Sequence, residues 1–138
     1  MALKGTAMRY YHAVIHKDPD SAYGAHFPDL PGCFSAADDL EAIIPNATEA
    51  LALWFEGGSA AVAPRPVEAI RAEAATDLAE GAFLVMVPFI GHDSRPTRVN
   101  ISLDRAMLGA IDSAAALRRL SRSAFLAEAA RNEIEGRR

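Results

Sequence analysis

Residues 98–103 read Arg-Val-Asn-Ile-Ser-Leu, and their alternation is complete. Successive side chains of a strand point to opposite faces, so Val99, Ile101 and Leu103 share one face and Arg98, Asn100 and Ser102 the other. Asp104 follows as a helix cap, and Leu108, Ile111 and Ala115 then mark one apolar helix face reaching about Ala116. Leu117 to Leu120 is a turn. Ser121 caps a last helix with apolar positions Phe125, Leu126, Ala129, Ala130 and Ile134. A strand and two helices of roughly 40 residues are too small to bury a core alone. A lone strand also leaves a row of backbone groups unpaired. Both defects are cured if two copies pair their strands antiparallel and pack their helices together. The resulting two-stranded ribbon fits the major groove of DNA. Its outer face carries Arg98, Asn100 and Ser102, all able to hydrogen-bond base edges. The start of the last helix, Ser121-Arg122-Ser123, offers backbone donors, hydroxyls and a guanidinium to phosphate.

The alternating strand, the Asp after it, Ala-Ile-Asp at 110–112 and Leu-Ser-Arg-Ser-Ala-Phe-Leu-Ala-Glu-Ala-Ala-Arg at 120–131 resemble the ribbon-helix-helix family of bacterial repressors. That resemblance implies base reading by Arg98, Asn100 and Ser102, and phosphate contact by Ser121, Arg122 and Ser123. Arg119-Leu120 stands where the family carries a glycine between its helices. The plainer alternative is a strand and helical hairpin used only for dimerisation, its polar face merely solvated.

Upstream, Gly91-His92-Asp93-Ser94-Arg95-Pro96 is short, polar and rich in turn residues, and a linker is expected over 91–97. The sign of the charge changes there. Residues 1–90 hold 5 Lys/Arg against 12 Asp/Glu, and residues 91–138 hold 9 Arg against 6 Asp/Glu. The overall charge of −4 therefore hides an acidic body and an arginine-rich tail. Such a tail suits nucleic acid, and such a body a basic partner.

The body, 8–90, reads as α+β. Met8 to His16 is aromatic and β-branched, a strand with Tyr11, Ala13 and Ile15 on its apolar face. Lys17-Asp18-Pro19-Asp20 turns the chain, and Ser21 to Phe27 returns as a hairpin. Pro28-Asp29-Leu30-Pro31-Gly32 excludes regular structure. Cys33 to Ala36 makes a short third strand. Asp38 to Glu41 has the spacing of a capping box. Leu40, Ile43, Ile44, Ala47, Leu51, Trp54 and Phe55 then form an amphipathic stripe, closed by Gly57-Gly58. Pro45 within it predicts a kink or a broken first turn. Val67 to Ala75 is a short helix, and Phe83 to Phe89 a fourth strand, continuous enough to be buried.

Phe27-Pro28-Asp29-Leu30-Pro31-Gly32-Cys33, set between a Tyr-rich hairpin and an acid-capped helix, resembles the N-terminal domain of HicB-type antitoxins. That family pairs a reduced RNase H-like domain, a three-stranded meander, a helix and a further strand, with a C-terminal DNA-binding module. The expected domains are thus 8–90 for toxin binding and 98–135 for a ribbon-helix-helix (β-α-α). The resemblance implies an antitoxin that neutralises a small, basic, mRNA-cleaving HicA-like toxin. It also implies repression of its own operon on operator double-stranded DNA, as a homodimer, with tetramers left open. The alternative is a toxin-independent ribbon-helix-helix repressor whose N-terminal domain senses a ligand or oligomerises.

The remaining residues weigh against an enzyme. RNase H-like nucleases begin their two-metal site with an acid in mid-strand, and Arg9 to His16 holds no Asp or Glu. His12 and His16 lie on one strand face about 13 Å apart, and His26 is expected opposite His12, giving at most two ligands where zinc takes three or four. Neither metal nor cofactor is expected. Phe27, Leu30 and Phe34 border the irregular loop and suit either core or partner contact. Asp18, Asp20, Asp29, Asp38 and Asp39 suit either solvation or a basic toxin. The toxin-contact candidates are Phe27, Asp29, Leu30, Asp38 and Asp39. At 138 residues and 51% apolar content, with a mean hydropathy of +0.05, a globular chain is expected. No apolar run approaches a membrane span. The absence of a secretory signal and the lone Cys33 suit a reducing cytoplasm. The first seven residues fall outside the pattern, leaving Met1 or Met8 as the native start.

Overall fold

The computed structural model describes residues 8–57, 62–91 and 95–136. The first seven residues, Gly58 of the expected helix cap and linker residues 92–94 lie outside these. The chain divides into two compact units between His92 and Asp93.

In the first unit, β1 (Arg9–Lys17), β2 (Tyr23–His26), β3 (Phe34–Ala37) and β4 (Phe83–Phe89) form a sheet in the order β3-β2-β1-β4. All neighbouring pairs are antiparallel, with Arg9 opposite Phe89, Val14 opposite His26 and His26 opposite Phe34. The alternation of β1 sends Tyr11, Ala13 and Ile15 into the core. They meet Ile43, Ala47, Leu51 and Phe55 of helix α1 (Ile43–Glu56), and Val87 and Phe89 of β4. Full burial of a side chain such as Leu51 contributes about 1.5–3 kcal/mol. Phe55 stacks on Phe89 with centroids 4.3 Å apart, and the Arg9 guanidinium lies 5.2–5.3 Å from both rings.

Helix α1 starts later than its stripe predicts. Asp39 accepts a hydrogen bond from the Ala42 amide and caps a 3-10 turn, Leu40–Ala42, leaving Leu40 exposed. Pro45 then falls in the first turn of α1, where its missing N–H removes no intrahelical bond. The single helix expected at 67–75 is two, α2 (Val67–Glu73) and α3 (Ala75–Ala79), hinged at Ala74. Strand β4 has its expected bounds but lies at the sheet edge, so Phe83 and Met86 are exposed while Val87 to Phe89 are buried.

The second unit holds α4 (Arg105–Leu117) and α5 (Arg122–Glu135), which pack against each other. Asp104 accepts from the Met107 amide and Ser121 from the Ala124 amide, the two caps that the sequence predicts. Ile111 and Ala115 are buried. Residues 95–104 carry neither helix nor strand. The strand expected at 98–103 is therefore not formed within one chain, which is the physical consequence of a ladder with no second strand to bond.

Candidate functional site

Three places gather the residues that the sequence singles out. The first is 98–103. Val99, Ile101 and Leu103 are 72%, 61% and 40% exposed, an unusual placing for three large apolar side chains in alternation. Arg98, Asn100 and Ser102 are exposed as well. One chain therefore offers both faces of the segment to solvent.

The second place is the start of α5. The Ser121 hydroxyl oxygen is taken up by the Ala124 amide, while Arg122 and Ser123 stand exposed in the first turn. The Arg122 guanidinium does not float free: Nε and Nη2 each donate to the Asp112 carboxylate of α4 at 2.9 Å. This fork holds the Asp112 carboxyl below the usual carboxylate range. Arg118 pairs likewise with Glu128 at 2.8 Å. Neither cross-helix pair was legible in the sequence. Their partners stand ten residues apart, and only the geometry of the inter-helix turn brings them together.

The third place is the loop after β2. Phe27 is 2% and Leu30 0% exposed, so both belong to the core and have no surface to offer a partner. The loop folds on itself, with the Leu30 amide donating to the Phe27 carbonyl and the Cys33 amide to the Leu30 carbonyl, both at 3.0 Å. The Asp29 side chain is 3% exposed and accepts from the backbone amide and Nε of Arg65. Trp54 Nε1 donates to the Pro31 carbonyl at 3.0 Å, pinning the loop to α1. The loop is thus built to be rigid. Phe34 is 70% exposed at the loop end of β3, and Asp38 and Asp39 are exposed beyond the other end of that strand. Cys33 is buried with its sulfur 3.7 Å from the Ala50 carbonyl, and burial pushes the thiol pKa up to about 11.

The histidines are placed differently from expectation. His26 stands opposite Val14, not His12, and its ring meets that of His16. No group of three or more metal-binding side chains gathers among the described residues. No helix there is long and apolar enough to cross a membrane.

Residues 11–130 match the family described as HicB_like antitoxin of bacterial toxin-antitoxin system. A curated relative, UPF0150 protein ssr1765 of Synechocystis sp. (strain ATCC 27184 / PCC 6803 / Kazusa), is 40% identical over 58 residues, 42% of this chain and 73% of that one. Among solved structures, the Burkholderia pseudomallei antitoxin HicB is 30% identical, with a TM-score of 0.49 over 94% of this chain and 99% of that one. The antitoxin HicB3 is also 30% identical, with a TM-score of 0.49 over 91% and 97% of the two chains. A chain of the HicA3 and HicB3 toxin-antitoxin complex is 28% identical, with a TM-score of 0.47 over 56% and 94%. The family match spans most of both units, from β1 into α5, and the chain belongs to the HicB-like antitoxin family of bacterial toxin–antitoxin systems.

Proposed function

We propose that the first unit binds and blocks a small, basic, HicA-like toxin. The second unit dimerises as a ribbon-helix-helix and represses the chain's own operon. The observation that carries the DNA-binding half is the exposed alternation at 99, 101 and 103. Antiparallel pairing with a second copy gives that segment a ladder and buries its apolar face. Arg98, Asn100 and Ser102 then line the outer face of the ribbon, where side chains reach base edges in the major groove. Ser121, Arg122 and Ser123 meet phosphate through the backbone donors of the α5 N-terminus, with Asp112 fixing the Arg122 guanidinium beside them.

For the toxin, Asp38 and Asp39 supply an acidic surface for a basic partner, and Phe34, at the opposite end of β3, adds an exposed apolar side chain. Phe27 and Leu30 serve from within the core, and Asp29 braces their loop through Arg65. The body reads as a reduced RNase H-like domain without catalysis. Support for this comes from the meander, the helix and the fourth strand beside the first, with Ala13 and Val14 at mid-β1 where a nuclease needs an acid.

The test is a titration of the full chain against the DNA upstream of its own coding sequence and a scrambled duplex. Asn100→Ala costs about 1–3 kcal/mol on the operator and little on the scramble. Arg122→Ala weakens both and lowers the salt slope by about one for each phosphate no longer neutralised. Wild-type operator binding by folded, dimeric Arg98→Ala and Asn100→Ala would remove the ribbon as the reading element.

A further inference from the structure

Two imidazoles of the first unit meet on the sheet face turned away from α1. His16 follows the core residue Ile15 on β1, and His26 follows the buried Ala25 on β2. His16 lies opposite Gly24 and His26 opposite Val14, so the two histidines are diagonal neighbours on adjacent strands. Gly24 makes room for the approach: a Cβ there would stand 3.3 Å from Cε1 and Nδ1 of His16. The ring centroids are 5.4 Å apart, and Nε2 of His16 lies 3.2 Å from Nδ1 of His26.

We propose that His16 and His26 form a two-imidazole chelate for a borderline divalent cation such as zinc, a weak and exchangeable site with water in the remaining positions, because the pair falls short of the three or four protein ligands of a resident zinc centre. Zinc–imidazole bonds of about 2.0–2.1 Å at tetrahedral angles set the two nitrogens about 3.3 Å apart. A square-planar ion would draw them to about 2.9 Å at the same bond length. The observed 3.2 Å lies near the tetrahedral spacing. Two paired strands hold it, so little chain freedom is lost on binding. In the metal-free pair one ring nitrogen donates its hydrogen to the other. Both must present lone pairs to the ion, so the donor ring moves that hydrogen to its second nitrogen, and the metal takes the place of the shared hydrogen.

The surroundings favour a cation. His16 also lines an open cleft of about 360 Å³ with Lys17, Asp18, Asp77, Glu80, Gly81 and Ala82. Three carboxylates against one lysine leave that cleft negative. His26 sits beside the exposed Phe34 in the β2–β3 register, and His16 is itself exposed, so water reaches the open coordination positions.

The experiment is a calorimetric titration of the full chain with zinc chloride, repeated on His16→Ala and His26→Ala. The expected result is one saturable site per chain in the wild type, weakened at least tenfold by either substitution. Imidazole proton resonances of the wild type provide a second readout that needs no variant. Zinc shifts or broadens those of His16 and His26 and leaves His12 unchanged. Absence of saturable binding up to millimolar zinc, binding retained by both variants, or shifts confined to other side chains would overturn the proposal.

Discussion

Arg119 holds a backbone φ of 59°, in the left-handed region that costs a non-glycine residue about 1–2 kcal/mol. It does so because α4 ends there. The Leu120 amide donates to the Ala115 carbonyl at 2.8 Å and the Arg119 amide to the Ala116 carbonyl at 3.0 Å, which closes the helix. The missing inter-helix glycine is readable in the sequence, and the structure shows that arginine takes its conformation. Arg119→Gly is expected to stabilise the tail by about 0.5–1 kcal/mol, part of the relief being offset by the freer unfolded chain. Urea denaturation of the two full chains checks this. Cys33 makes a second residue-scale case. Its folded thiol is held up to about 11 by burial, so the unfolded chain ionises first as pH rises. Cys33 therefore contributes its full share of stability below about pH 8.5, and that share falls away as pH rises through 11. At about pH 8 an alkylating reagent should modify Cys33 in the denatured chain and spare it in the native one. Rapid modification of the native thiol would contradict the burial.

At the scale of elements, what was legible follows from what is local. Helices α4 and α5 and their caps at Asp104 and Ser121 are written in contiguous residues, as is β4. The Asp29–Arg65 pair joins residues 36 apart, and the break at Ala74 has no glycine or proline to announce it. Whether β4 sits inside or at the edge of the sheet is likewise settled by tertiary pairing, which its apolar run does not encode. Segment 98–103 is the converse: its alternation is local, and the ladder proposed for it lies in another molecule. Hydrogen exchange should therefore find the amides of 98–103 protected at high protein concentration and exposed on dilution, in step with dimer dissociation. Protection that is independent of concentration would mean that the segment has its partner within one chain.

Over the whole molecule, the family match makes the chain a HicB-like antitoxin, and the charge asymmetry and the division between His92 and Asp93 suit the separable tasks proposed for it. The core of the first unit is assembled from its own strands and α1, so a chain ending at Ser94 should remain folded. It lacks the tail that is proposed to dimerise and bind DNA, and with it any gain in toxin affinity from bivalence. The most direct measurement is growth rescue in cells expressing the HicA-like toxin proposed as the partner, with the full chain and the chain ending at Ser94 compared. Rescue by both, with operator binding confined to the full chain, is the expected result. Failure of the full chain to rescue would contradict the antitoxin role. Failure of a folded, soluble chain ending at Ser94, while the full chain succeeds, would contradict the placing of neutralisation in the first unit.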